Sequence, residues 1–279
     1  MKVVNIVRAQ PTQDGAGVKI ARVSDFSGKH FDPYLMLDEL KSDNASDYMA
    51  GFPDHPHRGI ETFTYIIKGG FEHKDQMGNK KAITAGHVQW MSTGYGVVHS
   101  EMPIADKSEG MHGFQIWLNM PKKDKLRPAR YQDSTDNGLP VIENTTGAKL
   151  RALAGQWHFA DDRMQGALSP LNELTANGAI ADVTLAENGT AKLDVSSHQQ
   201  AFVYVHTGEI GTVQAGHLIV VDSQSELVLT SEKGGGALVL LGNPIKEEIA
   251  HMGPFVMNTQ EELQQAIRDY QDGKFGAIN

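Results

Sequence analysis

Short apolar segments separated by turn residues recur along almost the whole chain. Segments such as residues 61–67, 113–118 and 201–206 are rich in β-branched and aromatic residues, and glycine or proline follows each of them within a few positions. Short strands with turn signals between them are typical of β-sandwiches and β-barrels. The sequence therefore predicts an all-β protein.

Composition limits the class further. The 279 residues suffice for one large or two ordinary domains, and 25 Lys+Arg against 34 Asp+Glu give a net charge of −9, which argues against a nucleic-acid surface. The absence of cysteine excludes disulfides, thiolate catalysis and zinc-thiolate sites. No apolar run is long enough for a signal peptide or a membrane span. We expect a soluble cytoplasmic protein without a membrane partner.

A rough duplication indicates two similar barrels. A strand-ending Gly69 is followed by Ala-Gly-His at residues 85–87, and Gly208 is followed by Ala-Gly-His at residues 215–217. The polar stretch at residues 122–147 is the expected junction, because it contains several turn residues. We therefore expect one barrel over residues 1–135 and a second over residues 140–279.

One short helix is predicted near the C-terminus, within the second of these regions. Asn258 or Thr259 can begin it, because glutamates follow three residues later as capping-box partners. Gly273 is a suitable residue to end it. Its apolar residues recur at helical spacing, so it should pack on a barrel face; binding of a partner is the weaker alternative.

Two pairs of candidate metal ligands carry the chemistry. His55 and His57 stand two residues apart, as do His99 and Glu101, and side chains two apart on a strand point to the same face. Three imidazoles and one carboxylate from neighbouring strands can close around one divalent first-row metal. Iron, manganese, nickel, cobalt, copper and zinc are all compatible with such a ligand set. Glu61 has the same parity as His55 and His57, so spacing alone does not choose between the two glutamates.

Isolated histidines are more often ordinary polar residues than ligands. No metal role is assigned on this ground to His30, His73, His158, His198 and His251.

The chain resembles a known family in several segments. The pattern His-x-His-x3-Glu, followed by Gly69, Gly86 and His99, resembles the two motifs of the cupin superfamily. More specific segments resemble pirins: FDPYLMLDE at 31–39, GFPDHPHRG at 51–59, QWM at 89–91, HSEMP at 99–103, QIWLNMP at 115–121 and GPFVMNT at 253–259. The resemblance implies a bicupin, two tandem cupin-type β-barrels with a short C-terminal helix, and iron in the N-terminal barrel.

The resemblance also implies a ligand set. Pirins use the glutamate two residues after the third histidine, here Glu101, so His55, His57, His99 and Glu101 are the expected ligands. Glu61 would then support the ligands or the fold. Ser92 departs from the cupin pattern, where a proline is usual, but it touches no ligand. The second barrel contains no His-x-His, and its His206 and His217 are isolated, so we expect a degenerate barrel without metal.

Bacterial pirins are associated with quercetin 2,3-dioxygenase activity, and the resemblance implies the same oxidoreductase chemistry here. Dioxygen would add across the heterocycle of a flavonol, and carbon monoxide would leave. One Fe(II) per chain is the expected metal, a small aromatic or flavonoid molecule and dioxygen are the expected substrates, and Glu101 is the expected general base. We expect a monomer.

The main alternative is an iron-dependent redox-sensing regulator that binds protein partners without catalysis. The basic run at residues 122–130 would serve it as a docking surface, although a solvated connector is the commoner use of such a run. A third possibility, a cupin isomerase or sugar-binding protein, would need no redox metal.

Overall fold

The computed structural model describes residues 2–104, 110–160, 162–222 and 226–278. The chain forms two compact units. The N-terminal barrel consists of Gln10–Asp136 with Ile245–Asn279, and the C-terminal barrel consists of Met1–Ala9 with Asn137–Pro244. None of the helices in the described ranges has the length and apolar composition needed to cross a membrane.

Strands dominate the secondary structure. In chain order they are β1 (Val3–Arg8), β2 (Gln10–Asp14), β3 (Val18–Ser24), β4 (Tyr34–Ser42), β5 (Phe52–His57), β6 (Ile60–Lys68), β7 (Gly70–Asp75), β8 (Lys80–Thr84), β9 (Val88–Ser92), β10 (Val97–Pro103), β11 (Met111–Asn119), β12 (Arg130–Asp133), β13 (Val141–Glu143), β14 (Ala148–Ala154), β15 (Gln156–Phe159), β16 (Asp162–Leu168), β17 (Ala179–Leu185), β18 (Gly189–Asp194), β19 (Gln200–Ile210), β20 (Val213–Gln214), β21 (His217–Val221), β22 (Glu226–Ser231), β23 (Gly235–Gly242), β24 (Ala250–Met252) and β25 (Phe255–Met257). One α-helix, α1 (Gln260–Gln271), follows, and single 3-10 turns lie at Ala45–Asp47, Lys122–Asp124 and Thr175–Asn177.

The N-terminal barrel is built from two main antiparallel sheets. The larger has the strand order β12-β9-β6-β11-β4-β3-β2, and the smaller has the order β5-β10-β7-β8. Val18 and Leu40 of the larger sheet share a buried cluster with Phe71 and Ile83 of the smaller sheet. Apolar residues on facing sheets therefore hold the barrel closed.

The C-terminal barrel repeats this plan. One sheet has the order β1-β21-β19-β23-β17-β14-β13, with β20 beside β19, and the other has the order β16-β15-β18-β22. Leu150 and Val203 of the first sheet pack in one core with Leu193 and Leu229 of the second. The predicted all-β fold with two cupin-type barrels is thus confirmed.

The duplicated Ala-Gly-His segments form the same turn in the two barrels. Gly86 and Gly216 adopt φ values of 87° and 83°, a left-handed conformation that favours glycine. The amide of Gly86 donates to the carbonyl of Ile66 at 2.8 Å, and the amide of Gly216 donates to that of Val205, also at 2.8 Å. Glycine is required there because the chain turns sharply into the next strand of each barrel.

Both ends of the chain belong to a different barrel from the one expected by sequence position. The division at 1–135 and 140–279 put residues 1–9 in the first barrel and the helix in the second. In the structure, β1 pairs antiparallel with β21 in the C-terminal barrel. Helix α1 packs in the N-terminal barrel, where Leu263 and Ala266 share a cluster with Val98 and Phe255. Strand pairing and apolar packing between distant segments, rather than chain order, decide this assignment.

The helix itself has the expected ends. Thr259 accepts a hydrogen bond from the amide of Glu262, whose side chain accepts from the Thr259 amide, so the predicted capping box is present. Gly273 follows the last turn with a φ of 73°.

Candidate metal centre

The three predicted histidines lie together in the N-terminal barrel. Strands β5 and β10 pair antiparallel with His55 directly opposite His99. The imidazole centroids of His55 and His99 are 4.3 Å apart, those of His57 and His99 are 5.0 Å apart, and those of His55 and His57 are 4.9 Å apart. One ring nitrogen from each lies within 4.8 Å of the others, a spacing at which the group could hold one metal ion.

Backbone carbonyls determine which nitrogen faces the centre of this group. The Nδ1 of His55 lies 2.8 Å from the carbonyl oxygen of Pro53, and the Nδ1 of His57 lies 3.4 Å from that of Pro254. A carbonyl oxygen only accepts, so each Nδ1 carries the proton. In the neutral form of each ring, Nε2 then has the lone pair that metal ligation by histidine requires.

His99 is buried completely, and neither ring nitrogen has a hydrogen-bond partner among the described residues. Buried polar atoms are nearly always satisfied, and a bound ion is one explanation of an exception. Burial, with a smaller contribution from His55, lowers the pKa of His57 and His99 well below the usual histidine value. Both imidazoles are therefore neutral near pH 7, the state that binds metals, and the residues present fit a divalent first-row ion.

Glu101, the fourth predicted ligand, lies in a hydrogen-bonded network beside His99. Its Oε1 accepts from the hydroxyl of Thr64 at 3.0 Å and from the amide of Gln89, and its Oε2 accepts from the amide of Gln115 at 2.9 Å. Glu101 forms a second potential metal-binding group with His99 and His73, again with ligand atoms within 4.8 Å of one another. His99 thus belongs to both groups.

Sequence reasoning missed His73. It lies on β7 opposite Glu101 of β10 and is fully buried. Its Nε2 lies 3.0 Å from a carboxylate oxygen of Asp75. Burial alone would raise the pKa of Asp75, but hydrogen bonds from His73 and Asn79 lower it, so the carboxylate is ionised. The His-x-Asp spacing was the available signal, because carboxylates often orient metal-ligating histidines.

Glu61 is engaged elsewhere. Its buried carboxylate accepts from the indole of Trp90 at 3.0 Å and from Arg127 at 3.1 Å. It is in neither metal-binding group found among the described residues. These contacts agree with the expectation that Glu61 supports the fold.

Two of the five cations in the basic run at residues 122–130 point into the protein, and the other three are exposed. The ammonium of Lys125 is buried, and the guanidinium of Arg127 donates to a buried carboxylate. The guanidinium of Arg130 lies 5.3 Å from the centre of the Trp90 ring. The exposed charge of this run is therefore interrupted at Lys125 and Arg127.

A cavity of about 620 Å³ opens beside the histidines. His55, His57 and Glu101 border it, with apolar and aromatic walls that include Trp117. The ring of Trp117 lies edge-on to His57 at 5.1 Å. Phe26 and His251, also in the wall, stack at 3.7 Å with an angle of 6°. A planar aromatic molecule could therefore lie in this cavity next to a bound ion.

The histidines of the C-terminal barrel have other partners. The Nε2 of His206 lies 3.0 Å from a carboxylate oxygen of Asp182, and its Nδ1 lies 3.0 Å from the hydroxyl of Thr207. The Nδ1 of His217 faces the backbone carbonyl of Gln214 at 3.1 Å.

Comparison with known proteins places this geometry in a family. The pirin family model matches residues 17–118, and the model of the pirin C-terminal cupin domain matches residues 180–276. A pirin-like protein of Caulobacter vibrioides is 37% identical over 278 residues, which cover 98% of each chain. The chain belongs to the pirin family.

Pirins similar to this chain include proteins named as dioxygenases. A Vibrio cholerae protein provisionally named quercetin 2,3-dioxygenase is 42% identical over 273 residues, covering 96% of this chain and 95% of that protein. The crystal structure of quercetin 2,3-dioxygenase from Acinetobacter baumannii superposes with a TM-score of 0.83 at 29% identity, covering 100% of this chain and 99% of that one. This pirin is thus similar, along nearly its whole length, to cupin proteins named for oxygenase activity.

Proposed function

We propose that this pirin is a metal-dependent dioxygenase that cleaves a flavonol such as quercetin, with one ion held by His55, His57, His99 and Glu101. The observation that carries the proposal is a group of three histidines, with ring nitrogens within 4.8 Å of one another, at the wall of a cavity of about 620 Å³. The dioxygenase names of relatives that match nearly the full chain support the same reaction.

The metal we propose is Fe(II). Imidazole and carboxylate ligands that leave positions open are typical of non-haem iron oxygenases. When bound, the ion would supply the Lewis-acid and one-electron chemistry that organic substrates need to react with dioxygen. The protein supplies neutral imidazoles, a buried setting and an adjacent aromatic wall.

We assign a role in substrate binding or catalysis to the residues that border the cavity. Trp117, Phe26 and His251 offer flat surfaces for the rings of a polyphenol. Glu101 borders the cavity, and we assign to it the acceptance of a proton from a substrate hydroxyl. The overall reaction consumes one flavonol and one dioxygen, and it releases carbon monoxide and the ring-opened ester.

Charge in the cavity favours an uncharged substrate. Asp14, Asp38 and Asp54 border it with a single guanidinium, Arg22. Arg22 is not free to bind an anion, because it donates to Asp38 at 2.6 and 2.7 Å and also to Asp14. A neutral polyphenol should therefore bind better than one that carries a carboxylate or phosphate.

The test is turnover of quercetin by protein loaded anaerobically with Fe(II) and then mixed with air-saturated buffer. Loss of the flavonol absorbance should require iron and should disappear in His55→Ala. His251→Gln is the matched control, since it changes a cavity histidine outside both metal-binding groups and should alter KM rather than abolish turnover.

Iron binding without any loss of quercetin would reject the dioxygenase. The redox-sensing regulator would then be the better assignment, and the comparison to make would be partner binding by the Fe(II) and Fe(III) forms.

A further inference from the structure

The second metal-binding group has a composition of its own. His73, His99 and Glu101 supply two imidazoles and one carboxylate, whereas His55, His57 and His99 supply imidazoles alone. Two histidines and one carboxylate are the set that many non-haem Fe(II) sites use. The side chains of the second group are 0%, 0% and 4% exposed, so no bulk water competes for the ligand atoms.

His73 is oriented by a carboxylate. Its Nε2 faces Asp75 at 3.0 Å, so the neutral tautomer that fits this contact has its N–H at Nε2. In that tautomer the lone pair is on Nδ1, which is buried without a hydrogen-bond partner among the described residues. Asp75 is itself fixed by the amides of Met77 and Asn79, at 2.9 and 3.0 Å. A histidine oriented by a fixed carboxylate is the usual support of a metal ligand.

Charge also favours the second group. A divalent ion there would have Glu101 as a direct anionic neighbour and Asp75 as a second anion behind His73. Glu101 is also the anionic ligand of the first position in the proposed function, so Asp75 is the charge that the second position adds. An ion taken out of water is costly unless nearby charges compensate it, so the second group provides the better electrostatic setting.

We propose that His73, His99 and Glu101 form a second position for a divalent first-row metal, alternative to the position beside His55 and His57. The proposal rests on the proposed function only in taking His99 and Glu101 as ligands in the first position. Because the two positions share His99 and, in the ligand set of the proposed function, Glu101, the chain holds one ion at a time. Glu101 is the one residue of the second group that borders the cavity.

The experiment is a titration with Co(II), followed by calorimetry and by the visible absorption of the bound ion. The wild-type chain should bind one Co(II). A His55→Ala/His57→Ala variant should still bind one, with a changed visible spectrum, because the second group is intact. Adding His73→Gln to that variant should abolish binding. Adding Asp75→Asn should weaken it at least tenfold, because an amide donor at Nε2 forces the proton onto Nδ1.

His217→Gln in the same double-variant background is the control, because it changes a histidine of the C-terminal barrel, and it should leave Co(II) binding unchanged. Far-ultraviolet circular dichroism establishes that each variant is folded. If the double variant is unfolded, the test is repeated with His55→Ala alone, because this change affects a half-buried side chain. The Co(II) spectrum of His55→Ala should then depend on His73.

The outcomes separate the two proposals. A folded double variant that binds no Co(II), beside a wild type that binds one, overturns the second position and leaves the proposed function standing. Retained binding after His73→Gln in the double variant also overturns it. A wild-type chain that binds no Co(II) at all rejects the metal site of the proposed function together with this inference.

Discussion

The guanidinium of Arg58 donates to the carboxylate of Asp269 at 2.9 Å, which ties the residue after His57 to helix α1. Both side chains are almost completely buried, at 2% and 7% exposure. Arg58 also lies against the rings of Tyr95 and Phe275, at 4.3 and 4.6 Å. A segment more than 200 residues downstream therefore fixes the strand that carries two candidate ligands.

Asp269→Asn should destabilise the protein by about 3 kcal/mol, because it leaves the charge of Arg58 buried and uncompensated. Urea unfolding measures this. Lys274 forms ion pairs with both Asp269 and the exposed Asp272, and Asp272→Asn should have a much smaller effect. Equal effects of the two variants would show that the buried pair is unimportant.

The same pair predicts a pH dependence. Burial alone would raise the pKa of Asp269, but hydrogen bonds from Lys274, Gln265 and Arg58 lower it to about 2. A folded pKa below the unfolded value of about 4 contributes stability that is present above pH 4 and is lost as the pH falls towards 2. The free energy of unfolding should therefore fall less steeply over this interval in Asp269→Asn than in the wild type.

Substitution of the buried Lys125 should also destabilise the protein. Its ammonium donates to the carbonyl of Gly59 and to the amide oxygen of Asn119, both at 2.7 Å, and to the carbonyl of Val256 at 2.9 Å. Lys125→Met would leave these acceptors without their donor and should cost about 3 kcal/mol in the free energy of unfolding.

Lys123→Met, two positions away on the exposed side of the same basic run, is the matched control and should change stability by less than about 0.5 kcal/mol. The reverse order of the two effects would contradict the structural role of Lys125.

The contrast between these lysines shows where sequence reasoning ends. The run at residues 122–130 is basic by composition, but composition does not reveal that Lys125 meets three oxygens from distant segments. Strand parity, in contrast, is local. It predicted that His55 and His57 share a face, and the register of β5 with β10 adds His99 to them.

His73 and strand β1 show the same limit. The importance of His73 depends on β7 pairing beside β10, and the position of β1 depends on its pairing with β21. Both are contacts between segments whose partners no local pattern specifies. The capping box at Thr259 was predicted correctly because all of its atoms lie within four residues.

Glu101 and Glu61 allow a paired test of the ligand choice. Both have the strand parity of a ligand, but Glu61 accepts from Trp90 and Arg127, whereas Glu101 lies beside His99. Glu101→Gln should weaken Co(II) or Fe(II) binding at least tenfold and abolish turnover. Glu61→Gln should keep one ion per chain while lowering the free energy of unfolding. Intact metal binding and turnover in Glu101→Gln would remove Glu101 from the site.

We expect His99 to favour metal binding at a cost in the stability of the metal-free protein. Its fully buried imidazole has no hydrogen-bond partner among the described residues, so the metal-free fold carries the cost of two desolvated nitrogens. Leucine has a similar volume and no polar atom. In the presence of a chelator, His99→Leu should therefore be at least as stable as the wild type.

The order should reverse when metal is added. An ion at 100 times its Kd stabilises the folded wild type by about 2.7 kcal/mol, and His99→Leu should gain none of this. His206→Leu is the control in the other barrel, because Asp182 and Thr207 satisfy both of its nitrogens, and it should lose stability with or without metal. Urea unfolding of the three proteins, each with chelator and with Co(II), measures all six values. If metal-free His99→Leu is less stable than metal-free wild type by more than about 1 kcal/mol, the imidazole is satisfied within the fold and the case for His99 as a ligand weakens.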